Sequence, residues 1–290
     1  MVTLKQLQVF SAVARCGNLS QAAGQLYLSK GAVSQALAEL ERQLATPLFD
    51  RVHPHLKINQ QGRALQPLAE DLLARANDIQ HFFSGAPRGQ LQIGASQTIG
   101  NYLLPGLLAR SGLSQVNVSI HNSYELCQQL RQFELDLALI EGQNPFAELV
   151  TEPWLCDQMV VVAPPGHGLL DLPMPVTYPQ LAEQHWVLRE PQSGSREHFD
   201  QQLAPKLKKT VQSSQFNTLE SVMQAVEAGL GVTLISELAV ADRVAQGRLV
   251  MIALPAPIER QLWLCWHQHK YHTALMQQFV DYCRQQCPQA

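Results

Sequence analysis

Two short hydroxyl-bearing loops are the places in this sequence where an anion could be held. Ala95-Ser96-Gln97-Thr98 follows the apolar run LQIGA (91–95) and leads into a helical pattern; Ser193-Gly194-Ser195-Arg196 follows WVLR (186–189) and does the same. A helix N-terminus presents N–H groups without intrahelical partners and the positive end of the helix dipole, so it binds oxyanions without a formal cation. Ser96, Thr98, Ser193 and Ser195 add hydroxyls, Gln97 an amide and Arg196 a guanidinium, while Gly194 permits close backbone approach. Taken singly, each loop is also an ordinary helix cap. Two of them at strand ends of an open α/β architecture point instead to a shared ligand cleft. Glu141, in LIEG at the end of another apolar strand, belongs to the same cleft or to a surface turn at Gly142. In the cleft it suits a protonated ligand, or takes up a proton on binding.

Other reactive residues carry less. Cys265, His267 and His269 alternate along a strand and share one face, but nothing supplies a fourth ligand, so no metal site is assigned. Six cysteines are spread over 290 residues, without the spacing of a disulfide framework. Cys127 and Cys156 are candidates for a redox pair, but neither has a CxxC or basic context that lowers a thiol pKa, so a buried structural thiol is the expected role. No Ser/His/Asp arrangement, phosphate loop or HExxH motif is present, so the chain is not expected to be an enzyme.

The elements that must position these groups follow from periodicity. Leu4, Leu7, Phe10 and Val13 mark a first helix ending near Gly17; Ser20 can cap a second, with Ala22, Ala23 and Leu26 inward. Ser29 can cap a third, where Val33, Leu37, Leu40 and Leu44 form one apolar stripe opposite Lys30, Ser34, Gln35 and Arg42. Two short helices joined by a tight turn have the form of a helix-turn-helix. In LFDRVHPHLKIN, short strands around a His-Pro-His turn make a wing. From Asn59 a helical pattern runs to about Phe83, with Leu65, Leu68, Leu72, Ile79 and Phe82 near an a/d seam that Arg75 interrupts. Such a helix is about 36 Å long and outreaches the small head. The simplest cover is the same helix of a second chain, and Pro67 is expected to bend it. SGAPRG (84–89) reads as a linker. Beyond it, strands at 91–95, 116–120, 136–140, 159–165, 186–189, near Val211, 231–235, 248–254 and 261–266 alternate with helices, predicting mostly parallel sheets.

Charge divides along the same line. Residues 1–63 hold seven basic against three acidic side chains, a net of +4, and the remainder nets −7, so the overall −3 hides a basic head on an acidic body. No run of 18 apolar residues and no secretory signal is present, so a cytoplasmic chain with reduced thiols and no membrane partner is expected.

Taken together, LKQLQVFSAVARCGNLSQAAGQLYLSKGAVSQALAELERQLATPLFDR in the head and GQLQIGASQTIGNYLLPGLLAR, DLALIEG and EAGLGVTLIS in the body resemble the LysR-type transcriptional regulators over essentially the whole chain. Lys30 and Gly31 depart from that family's more usual residues, and the wing is poorer in Arg. ASQTIGNYLLP with LREPQSGSRE is most similar to its sulfite-responsive regulators and, more distantly, to the sulfate-binding regulators of cysteine biosynthesis.

The resemblance implies an α/β protein with an N-terminal winged helix-turn-helix DNA-binding domain (1–58) and a linker dimerisation helix and hinge (59–88). A two-lobed, periplasmic-binding-protein-like effector domain follows (89–290; lobe I about 89–162 and 265–290, lobe II about 163–264). Expected partners are double-stranded DNA, a second copy through the linker helix, with a homotetramer as the full assembly, and a small anionic effector such as sulfite or sulfate; no cofactor is expected. Ser29, Lys30, Ser34 and Gln35 are placed to meet base edges in a major groove. Arg51 of the LFDR block looks like the wing arginine that enters a minor groove, and Arg42 and Lys57 are candidates for phosphate contacts. The bland reading is a solvated polar face. Two rival functions remain: a thiol-based oxidant-sensing regulator, and a solute-binding receptor built on the body alone.

Overall fold

The computed structural model describes residues 1–52, 55–81 and 90–286. The head opens with α1 (Leu4–Cys16), whose N-terminus is held by reciprocal bonds: Gln6 N–H donates to Thr3 Oγ1 at 3.2 Å and Thr3 N–H to Gln6 Oε1 at 2.8 Å. It stops at Gly17, whose φ of +60° only glycine adopts freely. The cap of α2 (Leu19–Gln25) is Asn18, not the expected Ser20. Asn18 has extended dihedrals and its Oδ1 accepts from Ser20 and Gln21 N–H, which puts Ser20 inside the first turn. Ser29 caps α3 (Lys30–Gln43) by accepting from Ala32 N–H at 3.1 Å. Val33, Leu37 and Leu40 of α3 bury against Val9, Phe10, Val13 and Ala22. Strands β1 (Phe49–Val52) and β2 (His55–Ile58) pair antiparallel as the wing, while the turn at 53–54 lies outside the described residues.

Asn59 starts α4 (Gln60–His81) by accepting from Gly62 N–H at 2.9 Å, and the helix runs on continuously through Pro67. Its apolar residues form two faces rather than one seam. Leu65, Ala69 and Leu73 pack on the head, whereas Leu68, Leu72 and Ile79 are 62%, 50% and 73% exposed. Phe82, the last seam position, lies outside the described residues, as does the 84–89 linker up to Gly89.

In the body, β3 (Leu91–Ala95) leads through one wide turn (Ile99–Leu103) into α5 (Leu104–Ser111). Then come β4 (Val116–Ile120), α6 (Ser123–Arg131), β5 (Leu137–Ile140) and the 15-residue β6 (Leu149–Ala163). The second half holds α7 (Tyr178–Ala182), β7 (Trp186–Arg189), α8 (Gly194–His198), α9 (Ala204–Leu207), β8 (Ser213–Phe216), α10 (Leu219–Glu227), β9 (Thr233–Ser236), α11 (Glu237–Ala245) and β10 (Val250–Ile252). It closes with β11 (Ile258–His267) and α12 (Ala274–Gln285).

Only β3/β4, β3/β5 and β7/β8 pair parallel among the described strands. Both long strands, β6 and β11, pair antiparallel with each other and with β5, β9 and β10. The expected mostly parallel sheets are therefore mixed, because the chain passes between lobes on long strands rather than on strand–helix units. Residues 149–158 also belong to β6, a stretch that pattern reading leaves out: Glu152, Pro153, Asp157 and Gln158 break its alternation. One core gathers Ile93, Leu139, Trp154, Leu264 and Phe279; another gathers Met159, Val161, Trp186, Leu234 and Ile258. The packing thus changes lobes within β6 between Trp154 and Met159 and within β11 between Ile258 and Leu262. Among the described residues no helix is long and apolar enough to cross a membrane.

Candidate functional site

On the head, the first turns of α3 present Ser29, Lys30, Ser34 and Gln35, all exposed, on the side opposite its buried stripe. The cap bond occupies Ser29 Oγ as an acceptor and leaves its proton to donate elsewhere. Arg42 lies on the same helix but is engaged by Glu39, through Nε–Oε2 at 2.8 Å and Nη2–Oε1 at 2.6 Å. Those bonds, with one from Gln43, hold the Glu39 carboxyl down at about 2. Lys57 is exposed on β2; Arg51 is on β1, and its side chain lies outside the described residues. Sequence reasoning missed Tyr27. It is 95% exposed with φ of +53°, in the turn between α2 and α3. An aromatic residue in such a turn was the available signal, since a bulky side chain with positive φ is uncommon and worth attention.

Between the lobes, the described network is organised by a residue that sequence reasoning did not single out, Arg260 on β11. Its side chain is fully buried and every arm is engaged. Nε donates to Asp157 Oδ2 at 2.7 Å, Nη1 to Ser195 Oγ at 3.2 Å, and Nη2 to Thr98 Oγ1 at 3.0 Å. Nη2 also stands 3.0 Å from Glu141 Oε2. That oxygen lacks an aligned hydrogen bond, so the contact is a charge pair. Strand pairing dictates part of this, because Arg260 and Asp157 are cross-strand partners on β11 and β6. Asp157 also accepts from Ser236 Oγ at 2.8 Å. One guanidinium therefore joins Thr98 and Glu141 of the β3/β5 side to Ser195 of the α8 side.

Each expected cleft residue has a definite place. Ser96 and Thr98 are buried beyond β3, and Glu141 is buried beyond β5. Ser193 caps α8 by position, and Ser195 lies in its first turn. Gly194 sits so close to the facing segment that a Cβ there would lie 2.4 Å from Glu141 Cγ and 2.8 Å from Gly142 N. Gln97 is not aimed inward: its Oε1 accepts from Leu219 N–H at 2.6 Å and its Nε2 donates to Asn217 O at 3.2 Å, clasping α10. Arg196 turns to Asp200, with Nε–Oδ2 at 2.9 Å, and to Arg189 O. The hydroxyls of Ser96 and Ser193 are buried without a hydrogen-bond partner among the described residues. Each such group costs on the order of 1–3 kcal/mol.

Nearby titratable groups are shifted by the same enclosure. Burial, and next to it the Glu141 charge, raises Glu197, whose Oε2 accepts from Gln143 N–H at 3.0 Å. Burial and then Arg260 lower His198, which stays neutral. Its Nε2 lies 3.1 Å from Glu141 O and its Nδ1 3.1 Å from Gln202 Nε2, so Nε2 carries the proton.

The two candidate cysteines have different surroundings: Cys127 is buried, as a structural thiol is, and Cys156 is not. Cys127 of α6 meets Cys265 of β11 in a buried apolar cluster, and this contact, with burial, pushes the Cys265 thiol far up. Cys156 is exposed on β6 and bonds Gln261 Oε1. With Cys265 turned to Cys127 and the His267 ring tilted against Phe133 at 4.3 Å, the Cys265/His267/His269 trio does not converge. Among the described residues no group of three metal-ligating side chains comes together.

Two family profiles match the chain: "Bacterial regulatory helix-turn-helix protein, lysR family" over residues 4–63 and "LysR substrate binding domain" over 84–288. The uncharacterized HTH-type transcriptional regulator YeiE of Escherichia coli K12 is 39% identical over 287 residues, 97% of each chain. The HTH-type transcriptional regulator CysL of Bacillus subtilis is 32% identical over 244 residues, 79% of each. Among solved structures, a full-length OxyR point variant from Pseudomonas aeruginosa superposes with a TM-score of 0.78 at 21% identity, covering 98% of this chain and 95% of that one.

Proposed function

The chain belongs to the LysR family of DNA-binding transcriptional regulators, and from that premise we propose that its effector is a small oxyanion of the sulfite or sulfate type, held between the lobes. The observation that carries the reading is the pair of buried, unpartnered hydroxyls, Ser96 and Ser193, on two loops that converge on one buried guanidinium. A tetrahedral or pyramidal oxyanion supplies acceptors for both hydroxyls and for the first amides of the helices that follow. Arg260 faces two carboxylates, Glu141 and Asp157, so the site holds one acid more than base. That balance disfavours a bare dianion and favours hydrogen sulfite, whose proton can donate to the under-bonded Glu141 Oε2. The same surplus of acid would suit a cationic or zwitterionic effector, which is the second reading.

Occupancy changes DNA binding by shifting the lobe arrangement, because the residues that would touch the ligand also tie the lobes together. The exposed Leu68, Leu72 and Ile79 stripe on α4 supports a homodimer through that helix, with pairs of dimers as the full assembly. Neither thiol chemistry nor solute capture is needed to account for these features.

Melting of the full-length protein tests the effector. Sulfite at a hundredfold its Kd is expected to stabilise the native state by about 2.7 kcal/mol, at matched ionic strength against chloride and arginine controls. The Ser96→Ala/Ser193→Ala variant is expected to melt at or above the parent temperature without ligand, because two orphaned hydroxyls are gone, and to lose the sulfite shift. No shift with sulfite or sulfate in the parent protein, or a full shift in the double variant, rules the oxyanion out. A shift with arginine alone selects the cationic reading.

A further inference from the structure

A cavity of about 560 Å³ lies where α4 of the head meets the β3/β5 side of the body, away from the Arg260 network. Its size is that of a small-molecule site. Ala64, Pro67 and Leu68 of α4 form one wall, and Phe133 and His267 form the other. The two walls are joined by a buried side chain, since Gln66 Nε2 donates to Gln132 O at 2.7 Å.

Phe133 is the unusual feature. It follows α6 at the position where a helix commonly ends on glycine, and it holds φ of +57° with a bulky side chain. A residue forced into that region costs on the order of 1–3 kcal/mol, and such outliers cluster at ligand sites. What the phenyl group gains there is a place in the cavity wall, 4.3 Å from the His267 ring.

The polar lining has a definite sign. Arg63 and Arg131 contribute two guanidinium groups against one carboxylate, Glu148. Arg131 bonds Glu148 at 3.2 Å, while Arg63 spends one arm on Ile58 O. Burial, with the adjacent His269, pushes His267 down to about 4, so it is neutral. Its Nδ1 accepts from His269 N–H at 3.1 Å, which leaves Nε2–H as a donor. The site therefore combines an aromatic wall, an apolar wall, a neutral donor on His267 and one surplus positive charge.

We propose that this junction binds a second ligand, a small organic monoanion with an aromatic body, which bridges α4 to the body and so biases the position of the DNA-binding head. This goes beyond the oxyanion reading and does not depend on it.

Titration calorimetry of the full-length protein with phenylacetate, phenylacetamide and 2-phenylethylammonium tests it. Phenylacetate is expected to bind at least tenfold more tightly than the other two. Phe133→Gly relieves the backbone and removes the ring, and is expected to weaken phenylacetate at least tenfold. Ala64→Trp, at an exposed position on the opposite wall, is expected to block it as well, which guards against a folding defect in either variant. Ser193→Ala, in the other site, is expected to leave phenylacetate affinity within twofold. Absence of phenylacetate binding, equal binding of the amine, or binding that survives both wall variants or fails in Ser193→Ala overturns the proposal.

Discussion

Arg260→Met is expected to lower the stability of the regulatory domain by about 3–5 kcal/mol, the range found when one partner of a buried ion pair is removed. The size follows from what stays behind. Glu141 and Asp157 are both buried, and Arg260 is the only cation within ion-pair distance of either among the described residues. Thr98 and Ser195 also lose the donors they accept from. Methionine fills most of the volume, so the loss is electrostatic rather than a cavity. A triple variant, Arg260→Met with Glu141→Gln and Asp157→Asn, is expected to recover more than half of it, because the charges leave together. Urea unfolding of the single and triple variants checks both values. A loss under about 1 kcal/mol in the single variant would mean that the network is solvated rather than buried.

The second large effect is on DNA. Ser34→Ala with Gln35→Ala is expected to weaken specific binding by at least ~30-fold, at roughly 1–3 kcal/mol for each of the two lost base contacts, and to leave non-specific binding nearly unchanged. Both side chains are exposed on α3 and make no hydrogen bond among the described residues, so the melting temperature is expected to stay within a degree or two. Non-specific affinity and its salt dependence are expected to rest instead on Lys30, Lys57 and the other basic residues of the head. Footprints identical to those of the parent protein would contradict the placement of α3 in the groove.

How much of this was readable from the sequence depends on the range of the interaction. Local features came through: the Ser29 cap and the Val33, Leu37 and Leu40 stripe of α3, the β3 strand at 91–95 and the linker helix from Asn59. Each rests on contacts within a few residues. Asn18 displaced Ser20 as a cap because two cap-forming residues two positions apart compete, and backbone dihedrals decide between them. What escaped was long-range. Arg260 meets partners 103 and 162 residues away in the chain, and in IERQ it looks like an ordinary polar strand end. The part of β6 that carries Asp157 was hidden for the same reason: polar residues there face a buried network rather than solvent. Likewise Gln97 and Arg196 have the right types in the right loops, yet Gln97 clasps α10 and Arg196 turns to Asp200. The loops were legible, and the direction of each side chain was not.

The division of charge takes on a clearer meaning in this structure. The head nets +4 and the remainder −7, and the buried set around Arg260 repeats that acidic surplus locally. An oxyanion effector must therefore be held by dipoles, hydroxyls and a shared guanidinium against the sign of its own domain. This makes proton-bearing hydrogen sulfite the better fit.

The most direct test of the account joins its two ends. Fluorescence anisotropy would follow the full-length protein on a DNA fragment selected from a random pool, with and without saturating sulfite. Sulfite is expected to change the Kd at least fivefold, and Ser96→Ala/Ser193→Ala is expected to abolish that change while binding the same DNA. Identical DNA affinity with and without a demonstrably bound oxyanion would contradict control of the head from the cleft.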